Sequence, residues 1–254
     1  MVPKQFSTSF VTPANVTFTT QATGYEASYL LSNVSHPVTR HWRSTVTTQT
    51  DLFFDLGGSK SIAAIILLGA NFTSVQAARA ATLGGTYTDI AGSPFTITKR
   101  AWGGYYHRII IVSWTDSFCR IRIPAQTPVT GEAYFKLGAV LFVSSLTTLV
   151  RNARPGMGMT IVDPQTEGGD DMSPSGPLYA QHDWQQIYQS SEMTPFWDMM
   201  TRRRHQPVLW YDPTGNTFEN VWLARFSDSI SMRVENGNAG EVRYEVSPRM
   251  KELV

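Results

Sequence analysis

Ser61 to Leu68 is a nearly continuous apolar run, and it constrains the fold more than any other segment of the chain. A strand buried on both faces needs apolar side chains at successive positions, and the Ala63-Ala64 pair inside the run suits close sheet packing. A buried helix is the alternative for the same residues. The surroundings point to strands. Thr, Val, Ile, Phe and Tyr are abundant, and the segments between Gly and Pro are mostly too short for helices and often alternate in polarity. Arg108 to Trp114 and Phe118 to Pro124 are two further β-rich runs, separated by Thr115-Asp116-Ser117 with the composition of a tight hairpin. Thr86 to Thr98 reads as another strand pair, broken by Gly92-Ser93-Pro94, and Tyr134 to Phe142 reads as a closing strand. Short strands with turn signals between them are the signature of a sandwich or barrel.

The texture changes between Ser144 and Pro155, which predicts two domains, residues 1–148 and 149–254. Thr166 to Pro177 concentrates Gly, Asp, Ser and Pro and predicts a surface loop. Thr194 followed by Pro195 predicts a short helix over about 195–204, because Thr caps orphan amides and Pro suits the first helical position. Phe196, Met199 and Met200 fall on one face of that helix, and Pro207 ends it. Val208–Tyr211, Val221–Phe226, Ser229–Glu235 and Gly240–Val246 read as strands, the last two joined by Asn236-Gly237-Asn238-Ala239. The expected fold class is therefore mainly β: an N-terminal β-sandwich followed by a smaller antiparallel β domain with one short helix.

Composition narrows the function classes. With 42% hydrophobic and 16% charged residues the chain lies far from the disordered regime, and a net charge of +1 supplies no global attraction to nucleic acid or anionic lipid. The longest apolar run, Ile62 to Ala70, is less than half the roughly 20 residues a spanning helix needs. Met1-Val2-Pro3-Lys4-Gln5 lacks the basic-then-apolar layout of a secretory signal, so synthesis and assembly in the cytoplasm are expected. The sequons at Asn15, Asn33 and Asn71 then carry no meaning. Cys119 is the single cysteine, which excludes an intramolecular disulfide, and its neighbours Phe118, Ile121 and Ile123 place it in a strand as a buried filler.

No constellation meets the requirements of an active site. There is no Gly-x-Ser-x-Gly elbow, and His182-Asp183 are strand neighbours that point to opposite faces. His36, His41 and His107 lack a third ligand at diagnostic spacing, and Asp163, Glu167, Asp170 and Asp171 share a loop without the oxygen spacing of a calcium hand. No cofactor, metal or catalytic residue is expected. Arg202-Arg203-Arg204-His205 suits the last turn of the expected helix, where cations offset the macrodipole. Trp102, Tyr105, Tyr106, His107 and Arg108 are the candidate glycan-binding residues: rings beside Gly103-Gly104 can stack on a sugar while His or Arg donates hydrogen bonds, although the rings also serve as core.

Two resemblances bear on function. About Tyr25 to Val143 resembles the discoidin, or galactose-binding-like, jelly roll through Trp42-Arg43-Ser44, Asp55-Leu56-Gly57 and Leu67-Leu68-Gly69-Ala70-Asn71. The resemblance implies a jelly-roll sandwich; Trp42 and Arg43 are open to the same two uses, glycan contact or core, and in the resembling family this loop commonly packs and pairs internally. The second half is similar to the C-terminal part of small tail-tip proteins of long-tailed bacteriophages through Phe196-Trp197, Gln206 to Pro213 and Trp222-Leu223-Ala224-Arg225-Phe226. That similarity implies a structural subunit of a virion, a ring of three or six copies joining tail tube to hub or receptor-binding fibres. Other tail proteins would be its partners, and the loop holding Asp170 and Asp171 would reach a neighbouring subunit. A carbohydrate-binding module for host-surface glycans is the alternative, and a hydrolase with an unrecognised site is the third.

Overall fold

The structure is a computed structural model of the chain, and it describes residues 5–7, 10–31, 41–99, 106–129 and 131–148, then only strands between 181 and 252. The chain forms two compact units, one of Ser9–Leu146 with Gly215–Val221 and the other of Met1–Thr8, Thr147–Thr214 and Trp222–Val254. The fold is mainly β and its strand pairings are antiparallel.

Strand β1 (Gln5–Ser7) belongs to the second unit. The first unit holds β2 (Phe10–Val11), β3 (Asn15–Phe18), β4 (Trp42–Arg43), β5 (Thr50–Ala70), β6 (Ser74–Ala80), β7 (Thr88–Asp89), β8 (Phe95–Thr96), β9 (Thr98–Lys99), β10 (Tyr106–Ile123), β11 (Lys136–Leu137) and β12 (Ala139–Val143). Its frame is the long ribbon of β5 and β10. One half pairs Thr50–Asp55 with Phe118–Ile123, the other pairs Ile62–Ala70 with Tyr106–Trp114, and the register slips between them. Gly57 and Gly58 occupy that junction with φ of 72° and 108°, a region closed to most side chains. The Gly57 amide donates to Asp55 Oδ1 at 2.8 Å, which fixes the turn of the chain locally.

The ribbon folds onto itself. The first half of β5 is flanked by β3 and the second half by β12, while β6 pairs with the last residues of β10. The resulting layers face one another: Phe54 from the first half meets Phe142, paired with Ile65 of the second half, edge to face at 5.3 Å. Leu52, Phe54, Leu56, Cys119 and Ile121 from one layer, with Ile65, Leu67, Ile110, Val140 and Phe142 from the other, form the buried core. Each such side chain contributes about 1.5–3 kcal/mol through burial. This two-layer arrangement is the jelly-roll sandwich that the sequence resemblance implies.

The Ser61–Leu68 run is a strand, not a helix, and Ala64, Ile66 and Leu68 are buried on the side away from the core cluster, together with Leu141 and Val143. Two local expectations are corrected. Thr115-Asp116-Ser117 is not a hairpin but the irregular middle of β10, where Thr115 pairs with Ser61 and Asp116 with Lys60. Its polarity reflects exposure and pairing: Ser61 Oγ and Thr115 Oγ1 lie 3.0 Å apart, and Arg79 Nη1 donates to Asp116 Oδ2 at 2.7 Å. The segment Thr86 to Thr98 does not pair with itself, because β7 and β8 each pair with β6.

In the second unit, β1 pairs with β13 (Thr147–Thr148), in a sheet with β14 (Gln181–Asp183), β16 (Val208–Tyr211), β17 (Val221–Phe226) and β20 (Arg249–Glu252). A second sheet contains β15 (Gln186–Gln189), β18 (Ser231–Asn236) and β19 (Val242–Ser247), and Asn236 pairs with Val242 as the expected hairpin requires. The helix expected over 195–204 lies outside the described residues. Val11 pairs with Phe142 and Phe10 with Val143 in the sandwich, and Phe6 pairs with Thr147 and Gln5 with Thr148 in the second unit. The sandwich is thus inserted between two strands that pair with each other.

Candidate functional site

The folded ribbon brings segments distant in sequence to one end of the sandwich. Asn71 follows β5, Tyr106 opens β10 opposite Ala70, and residues 124–135 connect β10 to β11. Backbone hydrogen bonds join these segments: Val129 N donates to Asn71 O at 2.8 Å, Asn71 N to Lys136 O at 3.2 Å, and Ser44 N to Phe135 O at 3.0 Å. The Ala22 amide donates to Arg43 O at 2.9 Å and so ties in the loop that carries Tyr25. Beneath them Trp42, Leu30, Phe72 and Phe135 are fully buried and form a rigid floor. Phe72 and Phe135 meet edge to face at 5.9 Å.

Above this floor is a cluster of aromatic and charged side chains. The guanidinium carbon of Arg43 lies 3.8 Å from the Tyr25 ring centroid and 4.6 Å from that of Tyr134, within cation–π range of both. Arg43 Nε donates to His41 Nε2 at 2.7 Å, so the buried imidazole accepts at that nitrogen. Tyr134 Oη donates to Glu132 Oε1 at 3.0 Å. Asn71 Nδ2 donates to Glu132 Oε2 at 2.7 Å and to Tyr134 O at 2.9 Å, and Asn71 Oδ1 accepts from Lys136 N at 2.7 Å. Asn71 is 2% exposed and its amide is fully engaged, so its sequon is not an acceptor in the folded chain.

Burial, then the hydrogen bond to Glu132, raises the Tyr134 phenol, so it stays a neutral donor. Burial lowers the ammonium of Lys136, with Glu132 opposing the shift and Arg43 adding to it. The set offers ring faces and a planar cationic donor, while the Asn71 amide and the Tyr134 hydroxyl are spent within the cluster. It does not pair a nucleophile with a base. Burial pushes the Cys119 thiol far up, and Cys119 is sealed in the core. Among the described residues no group of three His, Cys, Asp or Glu side chains could hold a metal ion, and no helix is long and apolar enough to cross a membrane.

Of the residues expected from sequence, Trp102 and Tyr105 lie outside the described residues, as do Asp170 and Asp171. Tyr106 and His107 are described by their pairing alone, Tyr106 with Ala70 and Lys99, His107 with Thr98. Arg108 sits opposite Leu67, and its Nε is buried without a hydrogen bond. Trp42 packs internally, as the resemblance implies, and is fully buried. Sequence reasoning missed Tyr25 and Tyr134 altogether. They stand 18 residues before and 91 residues after Arg43, and nothing in either local pattern signals that they meet.

No protein-family model matches the chain, and no curated protein matches it. Solved structures do resemble it. Chitosan-binding module 1 of a chitosanase/glucanase from Paenibacillus sp. IK-5 is 18% identical, with 52% of this chain and 95% of that chain covered and a TM-score of 0.41. The family 32 CBM of Clostridium perfringens NanJ, in complex with galactose, is 12% identical over 53% of this chain and 97% of that one, with a TM-score of 0.40. Reduced XRCC1 bound to the DNA pol beta catalytic domain is 14% identical over 54% of this chain and 99% of the other, with a TM-score of 0.43.

Proposed function

We propose that the protein is a non-enzymatic attachment subunit whose sandwich binds saccharide at the end formed by Tyr25, Arg43 and Tyr134. The observation that carries this reading is the Arg43 cluster itself: two partly exposed tyrosine rings and a fixed guanidinium, grouped on a buried aromatic floor. Ring faces stack on the C–H faces of sugars, and a guanidinium held in place donates to sugar oxygens, so that a polar-aromatic site gains specificity. The register of Tyr106 with Ala70, adjacent to Asn71, supports extending the same end to Tyr106. Glycan-array binding by the full chain, followed by calorimetric titration of Tyr25→Ala and Tyr134→Ala, tests it. Saccharide binding weakened about tenfold in either variant is expected if one stacking contact is lost, and binding unchanged in both sinks the assignment of the site.

A second reading, a tail-tip or baseplate subunit of a virion, is supported by the chain topology. A sandwich of residues 9–146 inserted between β1 and β13 is built into the second unit at both of its ends, unlike a module appended by one linker. This reading places the loop of Asp170 and Asp171 against a neighbouring subunit, with a domain boundary near 148 and 149. Light scattering across a concentration series checks it. Rings of three or six copies support the tail-tip subunit, and a strict monomer that binds glycan leaves the attachment reading alone.

A further inference from the structure

The Arg43 cluster has a directional property in addition to its stacked rings. Arg43 Nε is committed to His41, while neither Nη atom makes a hydrogen bond or ion pair among the described residues, and neither is a buried atom without a partner. The Nη pair therefore keeps unused donors on a half-buried side chain that two rings and a buried imidazole hold in place. A guanidinium edge presents parallel N–H donors at the spacing of a carboxylate, and fixing the side chain beforehand removes much of the ordering cost.

The surrounding charges leave that edge available to an anion. Glu132 is the carboxylate of the cluster, but Oε1 accepts from Tyr134 and Oε2 from Asn71. Lys136 offsets its charge, since each is felt electrostatically by the other. Glu26 is held by the side-chain amide of Gln21. Arg43 forms no ion pair with either carboxylate. The net charge of +1 over the whole chain supplies no broad attraction to polyanions, so acid selectivity has to come from this local fork.

We propose that the site selects acidic saccharides, with the carboxylate of a uronic-acid-type sugar residue seated bidentately on the Arg43 Nη edge beside the Tyr25 and Tyr134 rings. This rests on the saccharide-binding reading above and adds the charge class of the ligand. Its step is non-covalent: the sugar acid binds as the carboxylate, and no proton or bond is exchanged.

The test uses paired probes on the full chain: oligogalacturonate, the same oligomer as its methyl ester, and a sulfated galactan of comparable charge density. Oligogalacturonate is expected to bind at least about tenfold tighter than the ester, because charge-assisted hydrogen bonds commonly contribute that factor or more. It is also expected to bind tighter than the sulfated galactan, because a sulfate ester is a weaker hydrogen-bond acceptor than a carboxylate. Arg43→Lys, which keeps the charge and loses the fork, should bring acid and ester to within a few-fold of each other. The wild-type comparison of acid with ester does not depend on that variant folding. Equal affinity for acid and ester, or for carboxylate and sulfate, overturns acid selectivity while leaving saccharide binding in place. Binding of a neutral galactan without any binding of oligogalacturonate does the same. Absence of binding to every saccharide on the array overturns both.

Discussion

Trp42 offers the sharpest test of how the site's floor is held. Its side chain is fully buried, its strand pairs with β11 through Leu137, and its indole N–H has no hydrogen-bond partner among the described residues. Truncation to Ala removes a large ring from a packed interior and should cost about 3–5 kcal/mol. Substitution by Phe is different. The lost ring atoms cost about 1–2 kcal/mol in transfer and cavity terms, but the change also removes a buried donor whose desolvation costs about 1–3 kcal/mol. Trp42→Phe should therefore lie within about 1 kcal/mol of wild type. The sandwich carries a built-in reporter, because Cys119 is the only cysteine and is completely buried in its core. The rate of Cys119 labelling by a thiol reagent, followed across a urea series, reads opening of this unit alone. A Phe variant as unstable as the Ala variant would refute the reasoning, since it would mean that the indole N–H is satisfied and contributes to stability.

The same readout serves two further substitutions. Gly58→Ala should cost about 1–2 kcal/mol from backbone strain alone, because φ is 108° and an added Cβ would meet no atom within 4 Å; an unchanged labelling midpoint would mean that the bend tolerates a side chain. Burial raises the folded-state pKa of Cys119, so its stabilising contribution is complete below the unfolded thiol value and falls as pH rises above about 8.5. Urea midpoints followed by circular dichroism should fall between about pH 8.5 and 10 in wild type more steeply than in Cys119→Ala, by at most about 1.4 kcal/mol per pH unit. Parallel curves would show that the thiol is not kept neutral by the fold.

The sandwich was legible in the sequence where one residue type has one physical use. The Ser61–Leu68 run is apolar at successive positions because its strand is covered on both sides, and Cys119 alternates with Ile121 and Ile123 because all three point into the core. The Asp55-Leu56-Gly57 match marked a backbone event, the positive φ at the bend, which a side-chain pattern reveals through glycine. Thr115-Asp116-Ser117 misled for the same reason that turn chemistry is informative elsewhere. Three successive polar residues look alike whether they turn the chain or cross an exposed, irregular stretch of a long ribbon. Of the candidate site, only Arg43 was weighed in the sequence as a ligand contact, and there beside an internal packing role. Tyr25, Asn71, Glu132 and Tyr134 lie on connecting segments whose local sequences carry no periodicity, and their meeting depends on long-range pairing.

That dependence explains why the site sits where it does. Straight partners of this length would leave Thr50 and Ala70 at opposite ends of a ladder roughly 65 Å long, at about 3.3 Å per residue. The chain after Ala70 instead pairs at once with the far half of β10: β6 begins at Ser74, its residues face Phe118–Arg122, and Gln126 Nε2 donates to Ser74 O at 2.8 Å while its Oε1 accepts from Thr73 N at 2.9 Å. Folding the ribbon at Gly57 and Gly58 therefore does two things together. It sets Phe54 edge to face against Phe142 in the core, and it returns Asn71 to the end of the sandwich where Arg43 and Tyr134 stand. A perturbation at the bend should accordingly be felt at the Arg43 cluster, because core and site depend on the folding of one ribbon. The site is a consequence of sandwich closure, and its rigidity is borrowed from the core beneath it.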